Sequence, residues 1–349
     1  MVIFFHFFYI NAAPFNKTDI YPYGDTFANL GVFEYGVLGV PLFFIISGFV
    51  IALTLNSCSG PVEFAVRRFA RLWPALIFWS IVTSLALRLS ASSFAAGIDP
   101  RIVDFVPSWT LTPPPLWAPI LPGARYVDGV YWSLVVEIRL YFFAALLYWT
   151  LGASNFARNL AIFTVLVVAA RVLVKAVSPE LADLFTAVFV PTELPWFASG
   201  AIFFELYRGR IRDGIALLML LPMYGLIVRF SVPTEHYSRA AMLLIVLCFF
   251  LMFWAIAKGL WITRYLENRA LVLVGFCSYS IYLFHNYIGT ALISVIPKQL
   301  SLIESTSLVC GIILLMIGVG YLSFVAIENP MRRLVVERLL PNKKVRKAA

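Results

Sequence analysis

Charged residues are scarce in this chain of 349 residues: Asp, Glu, Lys and Arg together make up 13% of it. A soluble domain carries about 25% charged residues. The shortage excludes an ordinary soluble enzyme, because too few charges are present to cover a water-exposed surface. The basic residues produce a net charge of +9. They lie at the ends of apolar segments rather than in one stripe, so they do not indicate a nucleic-acid partner.

Cysteine and histidine are also rare, with four and three residues. The cysteines lie in or beside apolar segments and lack the C-x-x-C or C-x-x-H spacing of a metal site. We therefore expect no bound metal and no disulfides, and we interpret all four as buried small hydrophobic residues. They are Cys58, Cys248, Cys277 and Cys310. No internal repeat is visible.

Apolar residues dominate what is present: 61% of the chain is hydrophobic and its mean hydropathy is +0.88. A transmembrane helix needs roughly 20 mainly apolar residues. Residues 1–12 are apolar but too short to cross a membrane. Nine longer stretches qualify, at about 35–55, 72–90, 131–151, 159–177, 184–206, 214–230, 240–262, 270–296 and 306–328.

This pattern predicts an all-α fold, a polytopic transmembrane helix bundle of about ten helices whose first helix is truncated at its N-terminus. We expect translation to start upstream of Met1, so that the first helix is completed there. Residues 1–332 are assigned to one integral-membrane domain. Residues 333–349 are assigned to a basic cytoplasmic tail.

Lysine and arginine concentrate on the cytoplasmic side of transmembrane proteins, and their counts set the orientation. With the N-terminus inside, 17 of the 27 basic residues fall in cytoplasmic connections and 8 in outer ones. The two longest connections, 13–34 and 91–130, are then external. The second is rich in proline and carries Trp109 and Trp117, so we expect it to lie on the outer membrane interface.

Two ionisable residues fall at similar membrane depths. His6 lies in an apolar run from Met1 to Ile10, and an ionisable side chain within a membrane marks a functional site by default. At a rise of about 1.5 Å per residue, Glu137 lies roughly 9 Å and His6 roughly 8–12 Å below the outer surface. We therefore predict that Glu137 orients the His6 imidazole.

Three arginines form the next candidate site, in the segment from Glu63 to Pro74. If this segment is helical, Arg67, Arg68 and Arg71 share one face at the cytoplasmic surface, because residues three and four apart are neighbours. Such a face suits bidentate binding of phosphates. The alternative is that they are ordinary positive-inside anchors. Pro74 is interpreted as the first turn of the following span.

The remaining polar residues have simpler alternatives. Ser47-Gly48 indicates either close helix packing or a site role. His285 lies near the middle of a span, where a hydrogen-bonded structural histidine is as plausible as a functional one. Glu193 lies in a broken helix and is interpreted as a polar lining residue. Glu328 is interpreted as a structural cap, and His236 as a solvated loop residue.

Taken in order, these segments resemble the membrane acyltransferase-3 family of bacterial O-acyltransferases. The resemblance extends from His6 to about Arg332, nearly the whole chain. Its motifs are the first-helix histidine, GVPLFFIISGFVI, RRFARLWPA, YWSLVVEIRLY and SYSIYLFH, with ENP near the end of the last helix. Two departures are visible: the family's arginine on the cytoplasmic side of the first helix has no counterpart here, and Arg139 replaces an often neutral or acidic residue.

The resemblance implies acyl transfer from cytoplasmic acyl-CoA, commonly acetyl-CoA, to a hydroxyl of a cell-surface glycan or a small glycosylated or hydroxylated molecule. His6 would be the general base or acyl carrier, Glu137 its orienting acid, and Arg67, Arg68 and Arg71 the CoA site. No cofactor is expected to be permanently bound. Residues expected to bind substrate are Ser47, Trp132, Ser133, Glu193, Tyr282 and His285.

The same resemblance implies a multi-pass protein of the bacterial inner membrane that is surrounded by membrane lipid. It leaves open a separate extracytoplasmic partner. Two other functions stay open. A proton-coupled transporter would use His6, Glu137, Glu193 and His285 as a relay, although the inverted repeats of many transporters are not visible. In a membrane scaffold these polar residues would serve packing alone.

Overall fold

The computed structural model describes residues 1–12, 20–231 and 238–340. Within these ranges the chain is helical and contains no strand, which confirms the all-α prediction. The α-helices are α1 Val2–Phe8, α2 Gly39–Ser57, α3 Pro61–Leu89, α4 Ser93–Ile98, α5 Phe105–Thr110, α6 Trp132–Leu151, α7 Phe156–Val177, α8 Pro179–Phe189, α9 Leu194–Tyr207, α10 Asp213–Leu226, α11 Arg239–Ala257, α12 Arg269–Ser294, α13 Leu302–Ser323 and α14 Asn329–Leu339. His236 and tail residues 341–349 lie outside the described ranges.

Nine helical segments of the described residues are long and apolar enough to cross a membrane, and each overlaps one of the nine predicted stretches. They are Phe33–Ser57, Pro61–Leu89, Gly129–Leu151, Ala153–Val177, Pro179–Tyr207, Asp213–Ser231, Arg239–Ala257, Arg269–Ser294 and Leu302–Leu339. Helix α1 precedes them and has seven residues, as the apolar run at residues 1–12 predicts. The assignment of residues 333–349 to a separate tail stays a prediction.

Helix α3 corrects the prediction for Pro74. The helix begins at Pro61 and continues to Leu89 with Pro74 inside it, so Pro74 does not start a new span. Proline removes one intrahelical hydrogen bond, but membrane helices tolerate it where neighbours satisfy the backbone. The Tyr279 hydroxyl donates a 2.8 Å hydrogen bond to the carbonyl of Leu72 nearby.

The last span corrects the prediction for Glu328. A π-helical turn, Phe324–Glu328, follows α13 and leads into α14, so the helical segment continues past Glu328. Glu328 makes no side-chain capping bond to α14. Its Oε2 instead accepts a 3.0 Å hydrogen bond from Ser280 on α12. A buried side-chain contact, not a helix cap, therefore accounts for this glutamate.

The chain divides into two compact units. The first comprises Met1–Val37, Ala65–Val135 and Leu266–Ala349, and the second comprises Leu38–Phe64 and Val136–Tyr265. In the first unit, α12 packs along α13, and a Cβ on Gly320 would meet Ile281. Trp79 stacks on Phe284 with ring centroids 4.0 Å apart. These contacts build the first unit around α12.

In the second unit, α2 and α9 approach so closely that their backbones touch. A Cβ on Gly48 would meet the carbonyl of Phe197, and one on Gly200 would meet backbone atoms of Ile45 and Phe49. Small residues permit this approach where lipid supplies no hydrophobic drive between helices. The packing interpretation of Gly48 is therefore confirmed, and Ser47 is considered separately below.

Part of the connection 91–130 packs along α3, and its position relative to the membrane interface stays a prediction. Trp109 at the end of α5 donates a 2.7 Å hydrogen bond to Ser80, and its carbonyl accepts one of 2.8 Å from Trp73. Ser80 lies nine residues before the end of α3 at Leu89, about 13 Å along the helix at about 1.5 Å per residue. The connection thus enters the first unit alongside α3.

The cysteine prediction was wrong for most of the four residues. Only Cys277 is buried, whereas Cys58 is half-buried and Cys248 and Cys310 are exposed on the helix surfaces. A protein in a bilayer exposes apolar side chains to lipid. Apolar neighbours in the sequence therefore do not imply burial inside the protein.

Candidate functional site

Helix α1, which carries His6, is fixed at its C-terminal end by the segment that follows it. The last carbonyls of a helix have no intrahelical partner. Here the Tyr21 hydroxyl donates a 2.6 Å hydrogen bond to the His6 carbonyl, and the Tyr23 hydroxyl donates to the Phe7 carbonyl. The Asn11 amide also reaches the His6 carbonyl. These bonds fix α1 despite its short length.

A glycine on α12 sets the side-to-side position of α1. The ring of Phe7 is fully buried and lies where a Cβ on Gly289 would stand. A second glycine, Gly36, is equally close to Phe5 and to the carbonyl of Met1. Both faces of α1 are therefore packed without space for an added methyl group. This packing places His6 against the middle of α12.

The structure brings His6 and His285 together. Their rings meet edge to face with centroids 5.1 Å apart. His285 is 1% exposed, and its Nδ1 lies 2.9 Å from the Tyr282 carbonyl. Among the described residues, His6 Nδ1 and His285 Nε2 are buried and have no hydrogen-bond partner. Two imidazoles with one unsatisfied nitrogen each form the centre of the candidate site.

Asp128 and Asn286 complete this cluster, and the sequence analysis missed both. Asn286 follows His285 and interacts with the His6 ring. Its amide donates a 2.9 Å hydrogen bond to Asp128 Oδ1, while the backbone N–H of Tyr287 donates to Oδ2 at 3.0 Å. Asp128 itself is fully buried. The cluster is therefore His6, His285, Asn286 and Asp128, all in the first unit.

Asp128 also begins the turn that leads into α6. Its Oδ1 accepts from the backbone N–H of Val130 at 3.1 Å, as an N-cap residue does. Burial raises the pKa of Asp128 to about 6, and the three hydrogen bonds oppose that rise. The Asp-Gly pair before an aromatic run was the available sequence signal, because aspartate is a preferred N-cap residue.

Ser133 and Tyr282, both expected to bind substrate, lie beside the cluster. The two hydroxyls are hydrogen-bonded to each other, and Tyr282 also bonds to the carbonyl of Val130. Ser133 is buried, whereas Trp132 beside it is 44% exposed. The structure thus brings Ser133 and Tyr282 to the histidines' neighbourhood and places the Trp132 side chain at the surface. The substrate roles of all three stay predictions.

Glu137 belongs to the second unit, where it joins Ser47. The Ser47 hydroxyl donates to Glu137 Oε1 at 3.3 Å, and the Tyr141 hydroxyl donates to the same oxygen. Ser47 and Glu137 are both buried. The sequence did not predict this pairing of a motif serine with the motif glutamate. The predicted pairing of Glu137 with His6 stays a prediction, because the two residues belong to different units.

Glu193 lies in the break between α8 and α9, as its flanking prolines predict. The break passes through Val190, whose φ of 45° is left-handed and strained for a β-branched residue. The Thr192 hydroxyl donates to Glu193 Oε2 at 2.7 Å. Arg139 and Arg171 act on Glu193 electrostatically. These arginines therefore balance a half-buried carboxylate within the second unit.

The three predicted phosphate ligands lie on one helix, as the prediction requires. Arg67, Arg68 and Arg71 are half-buried residues of α3, so the spacing of three and four residues places them on one face. Arg71 interacts electrostatically with Glu328 and Arg332. The buried carboxylate can hold the guanidinium groups in place, and the basic face that they form can bind an anion.

Comparison with known families settles what kind of protein has these features. Residues 1–325 match the family model described as an acyltransferase domain, of the acyltransferase-3 type. The chain belongs to the acyltransferase-3 family. With nine candidate spans among its described residues, it is an integral multi-pass membrane protein. The family resemblance seen in the sequence motifs is confirmed.

One characterised relative is similar over part of its length. Nodulation protein 10 of Rhizobium leguminosarum bv. viciae is 31% identical over 130 residues, which cover 34% of this chain and 35% of that protein. The similarity thus spans about a third of the relative. No solved structure matches the chain. The partial similarity therefore does not assign an acceptor, a donor or a partner protein to this chain.

Proposed function

We propose that the chain transfers an acyl group, acetyl being the first to test, from cytoplasmic acyl-CoA to a hydroxyl of a cell-surface glycan or a small glycosylated or hydroxylated molecule. Membership of the acyltransferase-3 family supports the reaction class. The observation that carries the proposal further is the contact between half-buried His6 and buried His285, each with one buried nitrogen that has no hydrogen-bond partner. An imidazole lone pair held away from water is suited to general-base work.

In this proposal the acceptor oxygen attacks the thioester carbonyl while His6 takes its proton. The new ester bond forms, the carbon–sulfur bond breaks, and the departing thiolate receives the proton from His6. The variant in which His6 carries the acyl group transiently is chemically equivalent overall. Glu137 is proposed to orient the His6 ring in its useful tautomer.

The donor would be held through its phosphates by Arg67, Arg68 and Arg71. Guanidinium groups bind phosphate oxygens in a bidentate manner, and the half-buried state of these side chains limits the water that competes for them. The proposed location is the bacterial inner membrane, where lipid surrounds the chain. The donor is proposed to bind on the cytoplasmic side and the acceptor on the outer side. A separate extracytoplasmic partner protein is compatible with this arrangement. Ser47, Trp132, Ser133, Glu193, Tyr282 and His285 are proposed substrate ligands.

The test is acyl-CoA-dependent ester formation. Membranes from cells that produce the chain are given acetyl-CoA labelled with ¹⁴C in the acetyl group, and envelope material is treated with mild alkali, which releases O-esters. We expect alkali-labile label above that of membranes without the chain. Equal label in both preparations, with protein present in the membrane, would contradict the proposal.

The transporter alternative gains no support from the family assignment. Purified chain in proteoliposomes distinguishes the two functions. Proton-coupled solute flux without acyl-CoA would favour transport by the relay of His6, Glu137, Glu193 and His285, whereas label transfer that requires acyl-CoA supports the enzyme.

A further inference from the structure

The hydrogen bond made by His285 fixes its tautomer. Its Nδ1 lies 2.9 Å from the carbonyl oxygen of Tyr282, one turn earlier on α12. A carbonyl oxygen can only accept, so Nδ1 must carry the proton. In a neutral imidazole the other nitrogen is then a bare lone pair. His285 Nε2 is therefore an acceptor whose direction is set by the helix backbone.

That lone pair is buried and unsatisfied. Within the described ranges, His285 Nε2 has no donor and His6 Nδ1 has no partner of either kind. Leaving a buried polar atom unpaired is costly, and such atoms in a native protein require an explanation. The two unsatisfied nitrogens belong to rings in edge-to-face contact at 5.1 Å. An acceptor nitrogen without a donor thus belongs to the ring that contacts His6.

We infer that His285 is a positioning residue for His6: its Nε2 accepts a hydrogen bond from His6 when His6 is protonated. A protonated imidazole carries a proton on both nitrogens, so His6 then needs an acceptor that it does not need when neutral. His285 supplies that acceptor without bringing a charge into the membrane. Asn286 is hydrogen-bonded to Asp128. It also interacts with the His6 ring and so limits the movement of that ring.

This inference rests on the proposed role of His6 as general base. The acceptor O–H bond breaks and its proton joins His6. The ester C–O bond forms, the thioester C–S bond breaks, and the CoA thiolate takes the proton back. While His6 holds the extra proton, His285 Nε2 accepts a hydrogen bond from it. The proton itself stays on His6, so His285 remains neutral throughout.

The tautomer can be measured without donor or acceptor. The chain has three histidines, so ¹⁵N-imidazole labelling gives few signals, and the His285→Gln variant identifies the one that disappears. We expect His285 to carry its proton on Nδ1 and to show an unprotonated Nε2. A proton on Nε2 would overturn the inference, and it would do so whether or not the proposed function is correct.

A pair of variants tests the role in turnover. Glutamine places an amide oxygen near the position of Nε2, whereas phenylalanine keeps the ring shape without an acceptor. We expect His285→Phe to lower kcat for ¹⁴C-acetyl transfer about 10- to 100-fold, less than the loss of a general base itself, with KM for acetyl-CoA unchanged. His285→Gln should recover most of the rate. Equal rates in the two variants, or a loss confined to KM, would overturn the inference.

Discussion

The side-chain amide of Asn286 donates a 2.9 Å hydrogen bond to the buried carboxylate of Asp128. The bond joins α12 to the turn at Gly129–Tyr131, which leads into α6. Because His285 precedes Asn286 in α12, the same bond restrains the helix face that meets His6. The position of the two histidines thus depends on an aspartate that lies outside every motif recognised in the sequence.

Asp128→Ala should destabilise the protein and lower acyl transfer. The change leaves the N–H groups of Asn286, Tyr287 and Val130 without their acceptor, at about 1–3 kcal/mol for each buried donor. Thermal unfolding in detergent measures the loss. Asp183→Ala, at an exposed position of α8, is the control. A melting temperature for Asp128→Ala equal to that of the control would contradict the prediction.

Stability should fall as pH rises from about 4 to about 6. The pKa of Asp128 is raised from 3.8 to about 6 by burial, so the folded state holds this proton where the unfolded state has released it. A rise of about two pKa units corresponds to about 3 kcal/mol, present below pH 4 and lost above pH 6. Asp128→Asn should flatten this part of the profile. An unchanged slope in that variant would assign it to other groups.

Gly289→Ala should displace α1 and abolish acyl transfer while the spans remain inserted. The added methyl group would stand where the Phe7 ring lies, and overpacking of this kind costs about 1–3 kcal/mol. Gly275→Ala is a matched control on the same helix, because nothing lies within 4 Å of its Cβ position. Full activity of Gly289→Ala would show that the Phe7 contact does not position His6.

We expect weaker CoA binding by detergent-purified protein in which glutamine replaces Arg67, Arg68 and Arg71 together. The expected loss of affinity is at least tenfold, about 1.4 kcal/mol, because each charge-assisted hydrogen bond contributes about 1.5–3 kcal/mol. Wild-type binding should also weaken as salt rises. Arg158→Gln, at an exposed position, should bind like wild type. Equal CoA affinity in the triple variant would leave the arginines as positive-inside anchors.

Hydropathy was sufficient to find the nine spans, because membrane thickness sets their length and lipid sets their composition. It could not pair His6 with His285, which are distant in sequence and are brought together by the Phe7–Gly289 contact. The local rule for proline failed at Pro74 for a related reason. The Tyr279 hydroxyl bonds to the Leu72 carbonyl close to Pro74, and Trp109 bonds to Ser80. No local pattern records either contact.

The polar residues show the same limit. Glu137 and Ser47 were recognised separately, each from its own motif, and their hydrogen bond follows from the packing within the second unit. Asp128 was missed because its neighbours on the chain indicate only an N-cap. Its significance comes from Asn286 and Tyr287, which belong to a helix more than a hundred residues later.

The most direct test of the account is the rate of ¹⁴C-acetyl transfer from acetyl-CoA to alkali-labile envelope esters by His6→Gln, compared with wild type at equal protein in the membrane. Phe4→Leu, at an exposed position of the same helix, controls for changes in α1. The account predicts a loss of about 10²- to 10⁴-fold for His6→Gln and near wild-type transfer for Phe4→Leu. Wild-type transfer by His6→Gln would contradict it.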